Sequence, residues 1–319
     1  MNVFKIISKL TLALMLSLIM VSCADDNDGT TQSEIRLEIT DAPIDDANVK
    51  GAFVTVADVQ IDGKSFAGFQ GKQTIDLLAY QNGDTKLLGE GMIEAESFSQ
   101  ISLIIDYEED ENGNSPGCYL LDQDNNKENL SAGVSGQQSI NISNSGSTVE
   151  SGSKQTIILD FDLRKAIRRN ANNDEDYEMV AQSQLQTAVR ANVSAQTGII
   201  RGNCQNAYNF ADKVVVYAYQ EGSFNKATEV QGSGGIQFQN AANSAVVSSD
   251  GTYQLHFLKE GKYELFFAAY QESNDNEGQF ELAGSLALDI AGTLNLGVAE
   301  VNSNSSTELN ILVTGLIPL

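Results

Sequence analysis

The chain has 319 residues, 41% of them hydrophobic, with a formal net charge of -24; it can bury real cores, and it repels the phosphates of nucleic acids and anionic lipid surfaces. Its single histidine, His256, excludes multi-histidine metal sites, and no C-x-x-C pair stands among Cys23, Cys118 and Cys204, which argues against a structural zinc or thioredoxin-type site. The length suits about two domains.

Residues 1–22 read as an export signal. Lys5 and Lys9 precede an apolar run of about a dozen residues, Leu10 to Val21, shorter than the roughly 20 needed to span a bilayer. The run ends in Met20-Val21-Ser22-Cys23, which resembles the lipobox of bacterial lipoproteins, with methionine where leucine is usual. The resemblance implies that Cys23 becomes the mature N-terminus and carries diacylglycerol and a further acyl chain such as palmitate, a membrane partner reached through lipid. A plain secretory signal and a retained anchor are the alternatives. Residues 23–33 are polar and acidic without apolar periodicity, and predict a flexible tether. Asp25, Asp26 and Asp28 directly follow the cysteine. This is similar to the acidic export signals of Bacteroidetes surface lipoproteins, and implies an outer-membrane protein facing the cell exterior.

Beyond the tether the chain predicts an all-β protein of two β-sandwich domains, 34–196 and 197–319, Ig-like in kind. Short alternating runs are punctuated by Gly, Asn, Asp and Ser, and no long amphipathic helix is present. Ile35, Leu37 and Ile39 alternate with Glu34, Arg36 and Glu38, one face buried and one wet. The next two runs, 52–64 and 73–84, close at Asp62-Gly63 and Asn82-Gly83. "QISLIIDY" and "KQTIILDFDLRKAI" follow, the latter ending in a short helical turn. About six strands fill this block. Residues 107–155 predict exposed loops and one hairpin around Cys118 and Leu120.

In the second block "DKVVVYAYQ" is apolar on both faces and predicts a central core strand. "GTYQLHFLKEGKYELFFAAYQ" predicts two strands joined at Lys259-Glu260-Gly261, with Tyr253, Leu255 and Phe257 on one face and Gln254 and His256 on the other. "FELAGSLALDIAG" and "STELNILVTGL" complete about seven strands.

Four segments, "LEITDAPIDDANVKGAFVTVADVQI", "TIDLLAYQNGDTKLLGEG", "FSQISLIIDY" and "IILDFDLRKAI", resemble in order an uncharacterised family of bacterial lipoproteins, domain of unknown function 4382. The resemblance reaches "LQTAVRANVSAQTGIIRG", covers residues 34 to about 202, and implies an exported β-sandwich without a known activity. "GIIRG" with "DGTYQLHFLKEGKYELFF" resembles a transthyretin-like, or carboxypeptidase-regulatory-like, β-sandwich, which implies a spacer or stalk.

Chemistry-bearing residues are sparse. Asp160 and Asp162 share a strand face, and Asp41, Asp45 and Asp46 flank Pro43; close carboxylates do acid–base work or hold Ca²⁺, or else cap loops and pair with Arg164 and Lys165. The acidic loops 106–114 and 122–129 are ligand-rich for Ca²⁺, yet an EF-hand frame from Asp122 puts Lys127 and Gly133 where Gly and Glu are required. His256 reads as a surface residue. Gly232–Gly235 lacks the lysine of a phosphate loop, and no G-x-S-x-G elbow occurs. In an oxidising compartment Cys118 and Cys204 either bridge the two domains or stay as separate thiols. The reading is a non-enzymatic envelope protein, structural, adhesive or ligand-binding, with no cofactor called for. The rivals are a glycan-binding accessory of nutrient uptake, which predicts rows of exposed Tyr or Phe, and a carboxylate-based hydrolase.

Overall fold

The computed structural model describes residues 32–42, 49–94, 98–130, 135–143, 149, 152–170, 173–232, 236–272, 280–290 and 298–318. These residues are mostly β. The helices are single turns or little more, α1 at Leu163–Ala166, α2 at Gln182–Ala188 and α3 at Lys226–Gln231. None is long and apolar enough to cross a membrane.

The first block begins with β1 (Gln32–Ala42), β2 (Gly51–Ile61), β3 (Lys64–Ser65), β4 (Gln73–Asp76), β5 (Lys86–Glu94) and β6 (Gln100–Asp106). It continues through β7 (Tyr119–Leu121), β8 (Lys127–Asn129), β9 (Gln137–Ser143), β10 (Lys154–Asp162), β11 (Ile167–Asn170), β12 (Asn173–Met179) and β13 (Val189–Val193). One sheet runs β13-β10-β1-β5, and a second runs β8-β7-β2-β6-β9 with β3 and β4 also on β2. Side chains alternate across a strand, so Ile35, Leu37 and Ile39 all point one way. They are fully buried, in one core with Val54, Val56, Leu103 and Ile105 of the facing sheet. This is the expected sandwich. Pairing of β1 with β10 is parallel, from Glu34↔Lys154 to Ala42↔Asp162. The predicted turn after "LDFD" is α1.

The stretch read as loops with one hairpin holds more order than that. The hairpin is β7–β8, and β9 adds a full edge strand to β6, from Gln100↔Ser143 to Asp106↔Gln137. Only Ile140 and Ile142 mark β9 as amphipathic in "QQSINIS", too few apolar positions for a period-2 pattern to stand out.

The second block has nine strands among the described residues, against about seven expected. They are β14 (Thr197–Gln205), β15 (Lys213–Gln220), β16 (Asn243–Val246), β17 (Thr252–Lys259), β18 (Gly261–Glu272), β19 (Phe280–Ile290), β20 (Val298–Val301), β21 (Ser306–Glu308) and β22 (Ile311–Pro318). The order is β16-β15-β18-β19-β22-β14-β17, with β20 on β18 and β21 on β14. As its sequence demands, β15 is buried on both faces. Val214, Val216 and Ala218 enter one core with Tyr253, Leu255 and Ile311; Val215, Tyr217 and Tyr219 enter another with Phe238 and Tyr270.

One predicted face is corrected. In β17 Gly198 pairs with Leu258 but Ile200 with Leu255, so His256 and Phe257 together oppose one residue of β14. Phe257 takes a left-handed φ of 55°, unusual for a bulky side chain. This β-bulge re-aims the strand. Leu258 takes the buried place, and Phe257, expected inside with Leu255, is only partly buried.

Candidate functional site

The carboxylates singled out by sequence converge where the two blocks meet, and they are occupied. Asp160 on β10 sits opposite Arg190 on β13 and accepts from Arg190 Nη2 at 2.6 Å and Nε at 3.1 Å. Asp162, at the start of α1, accepts from Arg164 Nη2 at 2.8 Å and lies 3.4 Å from Lys165 Nζ. Asp41 accepts the backbone N–H of Leu163 at 3.1 Å and the Gln81 amide at 3.3 Å. The reading as caps and ion pairs is the one that the geometry follows. Asp45 and Asp46 lie outside the described residues.

The environment separates these acids electrostatically. Burial pushes the Asp41 carboxyl well above its ordinary range, against the Leu163 N–H, and the neighbouring Asp162 charge pushes the same way. Burial acts on Asp162 in that direction too, but Arg164, Lys165 and Arg190 outweigh it and hold that carboxyl low. Burial lowers Lys165 despite the Asp162 charge.

Those cations reach across to the second block. Arg164 Nη1 donates to the carbonyls of Phe238 at 2.5 Å and Gln237 at 3.3 Å, and its guanidinium lies 5.2 Å from the Tyr217 ring centroid. Lys165 Nζ donates to the Ala241 carbonyl at 2.7 Å. Asn192 Nδ2 donates to the carbonyl of the bulged Phe257 at 3.4 Å.

His256 is corrected from an open surface position to this junction. It is half-buried, and its ring packs on Gly83 of the first block, where a Cβ would stand 2.5 Å from Cε1 and Nδ1. Nε2 meets Gln254 Oε1 at 3.0 Å. Burial lowers its pKa, against the pull of Asp84. The glycine at the Asn82-Gly83 turn, read only as a turn residue, is therefore also the space into which the histidine fits.

The acidic loops fold onto their own backbone. Asp106 accepts Lys72 Nζ at 2.9 Å, Gln137 Nε2 at 3.1 Å and the N–H groups of Glu108 and Glu109. Asp110 takes the N–H groups of Asn112 and Asn114, and Asp122 that of Asn126. Among the described residues no three His, Cys, Asp or Glu side chains converge as a metal ligand set. Cys118 and Cys204 are free thiols in two separate cores, so of the two readings the structure has separate thiols; apolar surroundings push each up to about 12. Cys23, Asp25, Asp26 and Asp28 lie outside the described residues.

Sequence reasoning missed a cleft of about 460 Å³ at the same junction. Its first-block wall is the end of β9, α2 and β13, with Asn141, Thr187, Arg190 and Asn192; its second-block wall includes Gln220, Lys259 and Tyr263. Two cations facing one cavity is notable in a chain with 19 basic and 43 acidic residues. In sequence Arg190 and Lys259 are 69 positions apart on different strands, with no shared motif.

Residues 32–180 match the model of the family described as "Domain of unknown function (DUF4382)", a span that stops short of the 202 expected. A comparison with curated proteins finds no match. Among solved structures the chain is similar to a leucine-rich repeat protein from Bacteroides thetaiotaomicron, at 11% identity and a TM-score of 0.20 over 91% of this chain and 26% of that one. It is similar to the TIE protein of Bacillus anthracis, at 11% and 0.19 over 89% and 34%. The same holds for BcpA, the major pilin subunit of Bacillus cereus, at 11% and 0.21 over 89% and 70%. The chain thus spans about a quarter and a third of the first two.

Proposed function

We propose that this chain, which carries a DUF4382 domain over residues 32–180, is a non-enzymatic lipoprotein of the cell envelope. In this reading Cys23 holds the lipid, the acids at 25, 26 and 28 direct the protein to the outer face of the outer membrane, and the second block is a transthyretin-like spacer. The two blocks present a structural, adhesive or ligand-binding surface.

The observation that carries the non-enzymatic reading is the use to which the junction carboxylates are put. Acid–base work requires a carboxyl within reach of a substrate proton, and paired carboxylates of a glycosidase flank a scissile bond. Here Asp160 and Asp162 hold cations, Asp41 caps α1, and Arg164 and Lys165 tie one block to the other. These contacts hold elements together and leave the carboxylates engaged. Stacking of sugars along aromatic rows is poorly served as a binding mode, since Tyr208 is the one aromatic among the large exposed apolar residues described.

Replacing Cys23 with alanine tests the anchor. The variant is expected to lose metabolic palmitate labelling and to leave the membrane fraction; retention in the membrane would place the anchor elsewhere. In the same cells, protease shaving is expected to remove the wild type and spare a form with Asp25, Asp26 and Asp28 changed to alanine. Equal cleavage of both would sink the acidic address.

A further inference from the structure

We infer that the cleft between the two blocks binds an acidic saccharide, with Arg190 and Lys259 receiving its carboxylate and the amide side chains around them receiving its hydroxyls. The inference deepens the ligand-binding side of the proposed function and is independent of the lipid anchor. Junctions between domains are a preferred place for ligand pockets, and a volume of about 460 Å³ falls in the range of small-molecule sites.

The charge argument starts from Arg190. Asp160 takes its Nε and Nη2, which fixes the guanidinium plane and leaves Nη1 outside that pair. A guanidinium held in this way is pre-organised to meet a second carboxylate. Lys259 comes from the other block and lines the same cavity. Partial burial, and after it the nearby Arg190 charge, lowers the Lys259 pKa. An anion between the two cations relieves their repulsion.

The remaining wall selects for hydroxyls. Asn141, Ser143, Thr187, Asn192 and Gln220 offer donors and acceptors together, whereas a phosphate presents chiefly acceptors. Asn192 is the sharpest case. It is 1% exposed, its Nδ2 donates to Phe257, and its Oδ1 has no hydrogen-bond partner. A buried acceptor left without a donor is costly. A carboxylate cannot supply that donor, but a sugar hydroxyl can.

The test is titration calorimetry of the full-length protein, in detergent, with oligogalacturonate, oligoglucuronate and a sialic-acid-terminated oligosaccharide, each beside its methyl ester. At least one acid is expected to bind, at least tenfold more tightly than its ester, and more weakly as salt rises. Lys259→Met is expected to lower that affinity at least tenfold. Thr187→Trp, which fills the exposed rim without changing charge, should abolish binding. A thermal melt of each variant matching the wild type shows that the fold is retained. Should none of the three acids bind, should acid and ester bind alike, or should both folded variants bind as the wild type does, the inference is overturned. Equal affinity for inorganic phosphate or a glutamate-rich peptide overturns the saccharide class. Palmitate labelling is unaffected by every one of these outcomes, so failure here and failure of the anchor are separable.

Discussion

Asp106 shows what a single acid contributes in so acidic a chain. Burial alone would raise its pKa, but Lys72, Gln137 and the N–H groups of Glu109 and Glu108 lower it from 3.8 to about 2. A carboxyl that is more acidic folded than unfolded adds stability that is complete above its unfolded pKa. That stability disappears as pH falls through the folded value. Asp106→Asn is therefore expected to cost about 1–3 kcal/mol at neutral pH, a gap that closes from about pH 4 to about pH 2. Urea unfolding of both proteins across that range measures it, and a gap independent of pH would refute the assignment. The loop's acidity was legible in "DYEEDENGN", but its purpose was not. Lys72 and Gln137 lie 34 and 31 residues from Asp106, and only the sheet brings them together. His256 is similar, because alternation put it on the polar side of β17 while Gly83 and the bulge decide what that side meets.

Elements were read well wherever one face is buried and poorly where the chain departs from regular alternation. β15 could be identified because six consecutive residues are small or apolar and the strand has cores on both sides. β9 could not, with only two isoleucines among polar residues. The glycines of "GIIRG" entered as part of a resemblance and have a direct physical reason. A Cβ on Gly202 would stand 1.8 Å from the Leu309 carbonyl oxygen, and one on Gly198 would stand 2.4 Å from that of Asn302. Both allow β14 to lie against the backbone of the chain leading into β22. Gly202→Ala must push that backbone away and break the Leu309 N–H bond to Arg201. A loss of about 1–3 kcal/mol is expected from such overpacking, read as a lower denaturant midpoint. An unchanged midpoint would mean that the two segments separate freely.

At the scale of the molecule the junction matters most, and it was least visible beforehand. It is built from side chains of one block on backbone carbonyls of the other, at Gln237, Phe238 and Ala241, and carbonyls leave no trace in a sequence. Two blocks could be told apart by their separate apolar faces, whereas the cleft between them could not be foreseen. Arg164→Ala leaves Asp162 with Lys165 in a buried site and removes the bonds to the Gln237 and Phe238 carbonyls. Breaking a buried pair in this way costs about 3–5 kcal/mol, and calorimetry is expected to resolve two unfolding transitions where the wild type has one. A single transition at the wild-type temperature would show that the blocks are coupled by other contacts.

The parallel pairing of β1 with β10 bears on the order in which the protein can be completed. The first strand has β5 within about 60 residues, yet its other edge has to wait for a partner some 120 positions later, Glu34 for Lys154. Closing so long a loop slows folding, and until it closes β1 presents an open row of amide and carbonyl groups to any passing strand. A chain emerging from its N-terminus first stays incomplete through more than half of the first block, a long interval in which the unfinished sheet is exposed to wrong partners.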